Sequence, residues 1–147
     1  MKKIIILSFF IVSSISAMSE KYISLSQLEG TWQRIEDVYK LDTQIWKISK
    51  SMITIENKRV YSSNVEIFSQ NIPYFLSVGI PQTYDSSSVG HINNGTHIIY
   101  YAPQRKLVRN YEIIKLNKNT LVLGYFTPRT IGRKAGTVTL TLKRVSR

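Results

Sequence analysis

Near its end the chain alternates strictly: Val138, Leu140 and Leu142 fall on one parity, and Thr137, Thr139, Thr141 and Lys143 on the other. Successive side chains of a strand point to opposite faces, so this pattern predicts a half-buried strand of an antiparallel sheet over 137–145. Short runs of β-branched and aromatic residues, separated by turn chemistry, predict further strands over 31–38, 44–48, 51–56, 60–69, 96–101, 107–116 and 121–126. Pro73 and Pro81 bracket 74–80, which is expected to be an edge or irregular strand because proline donates no ladder bond. Asn57-Lys58-Arg59 and Asn117-Lys118-Asn119 read as polar corners, and 84–95 as one long polar loop. Within that loop Asn94-Gly95 is a hairpin signal feeding the next strand. Helix chemistry is confined to 24–30, where Ser24 and Gln27 have capping-box spacing and Gly30 can end a single turn. About eight strands at this spacing, with no repeat and no second apolar centre, predict one all-β domain. A short sheet of that many strands protects its edges by closing into a small antiparallel up-and-down barrel.

The first residues add a compartment to this picture. Lys2 and Lys3 precede an apolar stretch from Ile4 to Val12, and a small-residue tail ends at Ala17. This is the layout of a secretory signal cleaved after Ala17, since the apolar run is far short of the roughly 20 residues that span a bilayer. Residues 18–147 would then form one exported domain, periplasmic or secreted and not membrane-spanning. No cysteine occurs, so thiol catalysis and cysteine–zinc sites are excluded, and the domain is held by its core without disulfides. The whole chain carries +11; loss of Lys2 and Lys3 leaves 18 basic against 9 acidic residues, or +9. Such a surface favours anionic partners, but no basic run exceeds two residues and export argues against nucleic acid.

Leu28-Glu29-Gly30-Thr31-Trp32 resembles the Gly-x-Trp opening of the lipocalin and calycin group, just after an N-terminal turn and at the head of the first strand. The run from Thr139 to Val145 is similar to the closing strand of short bacterial lipocalin-like domains, which ends in an arginine, and the hairpin within 113–123 resembles them too. The resemblance implies a lipocalin-like barrel closed at one end by Gly30, Trp32 and Arg144, with the guanidinium stacked on the indole. Parity alone places Arg144 on the strand face of Leu140 and Leu142. The resemblance also implies enclosure of a small apolar or amphiphilic molecule.

Aromatic residues are the informative excess: nine Tyr, five Phe and two Trp. Trp46 and Phe68 on the earlier strands, with Tyr100, Tyr111 and Tyr125 on the later ones, are candidate walls of a ligand site. Arg109 is the candidate group for orienting an anionic head, and Lys47, Arg105 and Lys106 strengthen that bias. A catalytic constellation is lacking. No Gly-x-Ser-x-Gly elbow surrounds the serines at 86–88, and Glu36 and Asp37, adjacent on one strand, point to opposite faces. His91 and His97 flank a Gly/Asn turn and, with Asp85, would suit zinc or copper, but no further ligand stands near, so neither metal nor cofactor is expected. The expected function is that of a monomeric, non-enzymatic protein binding a small apolar or amphiphilic, preferably anionic, molecule. The alternative is a protein-binding module, an inhibitor of an exported enzyme or a toxin-immunity protein, that uses its loops on an acidic partner.

Overall fold

The computed structural model describes residues 22–35, 42–128 and 134–146, and of Asp42 the backbone alone. The leader, its cleavage point and the Glu36-Asp37 pair lie outside these residues. In chain order the elements are β1 (Ile23–Ser24), α1 (Leu25–Leu28), β2 (Gly30–Arg34), β3 (Asp42–Ile48), β4 (Met52–Val60) and β5 (Val65–Ser77). They continue with β6 (Asn94–Gly95), β7 (His97–Ala102), β8 (Leu107–Leu116), β9 (Thr120–Thr127) and β10 (Gly136–Ser146). The eight longer strands form a closed antiparallel barrel, ordered β10-β2-β3-β4-β5-β7-β8-β9, in which β10 also pairs with β2. The all-β up-and-down barrel and its single helical turn are thus as the hydrophobic pattern requires.

Period-two alternation fills the barrel. Trp32 lies opposite Trp46, Trp46 opposite Ile55, and Leu121 opposite Leu142. With Leu28, Leu76, Ile98 and Leu123 these residues form an interior almost wholly excluded from water. One end is plugged. Ser24 N–H donates to Gln27 Oε1 at 3.0 Å and so caps α1. Gly30 at φ +134° then turns the chain into β2, a conformation that side-chain-bearing residues rarely adopt. Trp32 Nε1 donates to Leu28 O at 2.8 Å. Over the indole, 3.9 Å from its ring centre, lies the Arg144 guanidinium. Its Nη1 and Nη2 donate to Glu29 O and Gln27 O at 2.7 Å each, and its Nε to Lys118 O at 2.9 Å. One side chain therefore ties α1 and the β8–β9 turn to the last strand.

Three local expectations need correction. Asn57, Lys58 and Arg59 are not a corner but the end of β4, paired with Phe68, Ile67 and Glu66. The turn comes later, where Tyr61 N–H donates to Asn64 O at 2.8 Å. This hairpin runs on past the apolar interior, so its residues form a ladder without an apolar face to advertise it. Pro73, in turn, does not interrupt a strand but sits within β5. Tyr74 N–H donates to Ser51 O, so even positions of β5 bond toward β4 and odd positions face the other side. Pairing with β7 begins only at Tyr74 opposite Tyr100, and the missing N–H of Pro73 therefore falls where no ladder bond is made.

The long polar loop is present up to Asn93 and is held at two points. Asp85 caps a 3-10 turn at Ser86–Ser88, its Oδ1 accepting from Ser87 N–H (3.0 Å) and Oγ (2.6 Å) and its Oδ2 from Ser88 Oγ (2.7 Å). These hydroxyl donors hold the carboxyl below its usual range. Just before it, Tyr84 packs on the outer wall, its ring centre 5.6 Å from Phe75 and 5.8 Å from Tyr101. Phe75 and its ladder partner Ile99 are buried there although their parity is opposite to that of Tyr74 and Leu76. One tyrosine in a run of small polar residues supplies the anchor that loop composition concealed.

Last, Asn94-Gly95 makes no hairpin turn. It is β6, pairing with β1 as Asn94 opposite Ser24 and Gly95 opposite Ile23. Glycine is required for closeness, because a Cβ at 95 would lie 2.7 Å from Ser77 N and O. Gly95→Ala should therefore destabilise by about 1–3 kcal/mol, the usual range for overpacking. Gly136→Ala, where a Cβ meets nothing within 4 Å, is the control and should leave the urea midpoint nearly unchanged.

Candidate functional site: an aromatic and basic cup in the upper barrel

Extending each inward stripe by two residues changes its chemistry. Beyond Trp32 on β2 stands Arg34, before Trp46 on β3 stands Gln44, and beyond Ile55 on β4 stands Asn57. Gln44 Nε2 donates to Asn57 Oδ1 at 2.8 Å, and Trp46 Nε1 donates to Gln44 Oε1 at 3.0 Å. On the opposite wall the inward stripes of β7, β8 and β9 carry Tyr100, Arg109 and Tyr125 toward the same end. The end away from the Arg144 plug is therefore polar and aromatic, above a floor of aliphatic side chains.

Tyr111 sits at the centre of that floor. Its ring stacks on Tyr100 (5.6 Å between centres, 15° between planes) and meets Trp46 and Tyr125 edge-on at 5.5 and 5.7 Å. A cavity of about 410 Å³ borders this group, lined by Tyr100, Arg109, Tyr111 and Tyr125 with Leu107 and Phe126 among its neighbours. Burial, and after it the Tyr100 phenol, pushes the Tyr111 hydroxyl well above its ordinary range, while the Arg109 charge pulls the other way. A guanidinium thus stands close enough to sense the phenol. Arg34 is partly buried, and its Nε is buried with no hydrogen-bond partner among the described residues.

Of the expected wall residues, the fold brings Trp46, Tyr100, Tyr111 and Tyr125 into contact and puts Arg109 beside Tyr100 in the ladder. Phe68 is elsewhere. It is 51% exposed on the β4–β5 hairpin, with the Arg59 guanidinium 5.8 Å over its ring. Gly30, Trp32 and Arg144 occupy the plugged end. Lys47 bonds Glu56 at 2.7 Å on the outer face, away from the cup. His97 Nδ1 bonds Thr96 Oγ1 at 2.9 Å, His91 is exposed, and among the described residues no three His, Asp or Glu side chains converge. Sequence reasoning missed Arg34 and Gln44. The signal was present, since each shares the parity of a tryptophan two residues away.

Compared with protein-family models and with curated proteins, the chain matches none. A closed eight-stranded barrel is an architecture that unrelated families share, and it names none of them. Among the described residues no helix is long and apolar enough to cross a membrane.

Proposed function

We propose that this chain is an exported, non-enzymatic binding protein of lipocalin-like kind that holds a small amphiphilic anion in the upper half of its barrel. The observation that carries the reading is the tyrosine–tryptophan cluster around Tyr111, bordering a cavity of about 410 Å³ whose lining includes the charged Arg109. That volume falls in the range of small-molecule sites, which combine apolar and aromatic walls with a few polar groups that fix orientation. An apolar tail gains by burial against the rings. An anionic head finds Arg109 in the cavity lining, and Arg34, on the inward parity of β2, carries a buried Nε with no partner among the described residues. The Gly30, Trp32 and Arg144 arrangement at the other end supports the lipocalin-like kinship.

Dodecanoate and dodecanol make the test, with Trp46 fluorescence as the readout. Dodecanoate should saturate at one equivalent and bind at least tenfold more tightly than dodecanol. Arg109→Gln should remove that preference and leave dodecanol affinity unchanged. Absence of saturable binding by either probe, or a carboxylate preference that survives both Arg109→Gln and Arg34→Gln, overturns the reading.

A further inference from the structure

One strand of the closed barrel runs past its neighbour and leaves an edge that the ligand site does not use. β5 pairs with β4 along Val65–Pro73, but with β7 only over Tyr74–Ser77. Among the described residues nothing pairs with the other side of its first half. Because the ladder alternates from Tyr74 without a register shift, the backbone groups of Val65, Ile67, Ser69 and Asn71 face this open edge. The side chains there are exposed, Val65 by 50% and Ile67 by 67%. Natural edges are guarded by lysine, proline, bulges or covering segments. The stretch from Val65 to Ile72 has no lysine, no proline and no bulge, and one charge, Glu66.

The edge leads into a groove of about 460 Å³ where β5 and β7 part, lined by Asn71, Pro73, Tyr84, Tyr101 and Pro103. Cations stand beside it: the β7–β8 turn next to Pro103 carries Arg105 and Lys106, and Lys106 borders Tyr84 and Tyr101. We propose that this edge is a docking site for an extended acidic segment of a partner protein, which adds as a strand to β5 and seats an apolar side chain in the Tyr84–Tyr101 groove. Main-chain bonds to an exposed edge supply affinity, and alternate side chains supply specificity. A second copy of this chain fits poorly, since two strongly basic molecules would meet through flanks that are themselves basic. The occupant chemistry is set by those flanks, so this proposal stands apart from the ligand in the barrel.

The probes are three labelled decapeptides, each read by fluorescence anisotropy at low salt: alternating Glu and Val, alternating Lys and Val, and the Glu–Val peptide N-methylated at every second residue. The unmodified acidic peptide should bind at least tenfold more tightly than the lysine peptide, and N-methylation should remove at least tenfold because it blocks pairing without altering the protein. Ser69→Pro should cause the same loss in this protein, since it deletes an edge-facing N–H that the β4 ladder does not use, and its thermal midpoint should stay near that of the parent. Equal binding of acidic and basic peptides, or undiminished binding of the N-methylated one, overturns the proposal. So does amide protection at 65–71 that rises with protein concentration in the absence of peptide, which would make a second copy the occupant.

Discussion

Trp32→Ala should be the most damaging truncation in the protein, lowering the unfolding free energy by about 3–5 kcal/mol, as deletion of large buried aromatic rings does. The indole is wholly buried and donates to Leu28 O at 2.8 Å. Its loss opens a cavity at the plugged end and strips Arg144 of the surface on which it lies. Arg144→Ala should also cost heavily, because three charge-assisted bonds to Gln27, Glu29 and Lys118 carbonyls are lost together. Arg144→Lys should not rescue it, since an ammonium cannot fork toward two carbonyls while lying flat on a ring. A double-mutant cycle in urea isolates the stacking term, expected at about 0.5–2 kcal/mol. A Trp32→Ala loss below about 1 kcal/mol, well under the range for such truncations, would show that the plug does not hold the barrel shut.

The barrel was legible in the sequence where one face of each strand meets the apolar interior. Leu140 and Leu142 against Thr139 and Thr141 declare both the strand and its inward side, and β8 runs from Leu107 to Leu116 as its pattern implies. Legibility failed wherever a strand has no core to face. The outer end of β4 is Asn-Lys-Arg and reads as a corner because ladder bonds between backbones leave no trace in side-chain polarity. Pro73 and Gly95 misled for a related reason. Each is excused from its usual meaning by a neighbour distant in sequence, the absence of β7 in one case and the nearness of Ser77 in the other. The candidate site was half legible. Aromatic excess marked Trp46, Tyr100, Tyr111 and Tyr125, but residue type alone could not separate them from Phe68, which lies on the same inward parity and beyond the end of the interior. Only the register, which sets how high each strand rises above the apolar floor, makes that distinction.

Alkali should unfold this protein through two phenols, one buried and one partly buried. Tyr74 is fully buried and donates to Ser49 O at 2.7 Å, and its hydroxyl is pushed well above the ordinary range by burial and then by the Glu29 charge. Tyr111 is raised likewise, by burial first and by Tyr100 after it. Raised folded-state values fix the sign. Below pH about 10 both phenols are protonated in the folded and the unfolded chain, and their contribution is complete. Above it the unfolded chain ionises them while the folded chain does not, so stability falls by about 1.4 kcal/mol per pH unit for each phenol. The pair should together remove about 3 kcal/mol by pH 11. Urea titrations at pH 9, 10 and 11 measure the slope, and the Tyr74→Phe, Tyr111→Phe double variant separates these two groups from the lysines and exposed tyrosines that titrate in the same window. The double variant should lose most of the excess slope above pH 10, and identical slopes in parent and variant would show that neither phenol is held protonated by the fold.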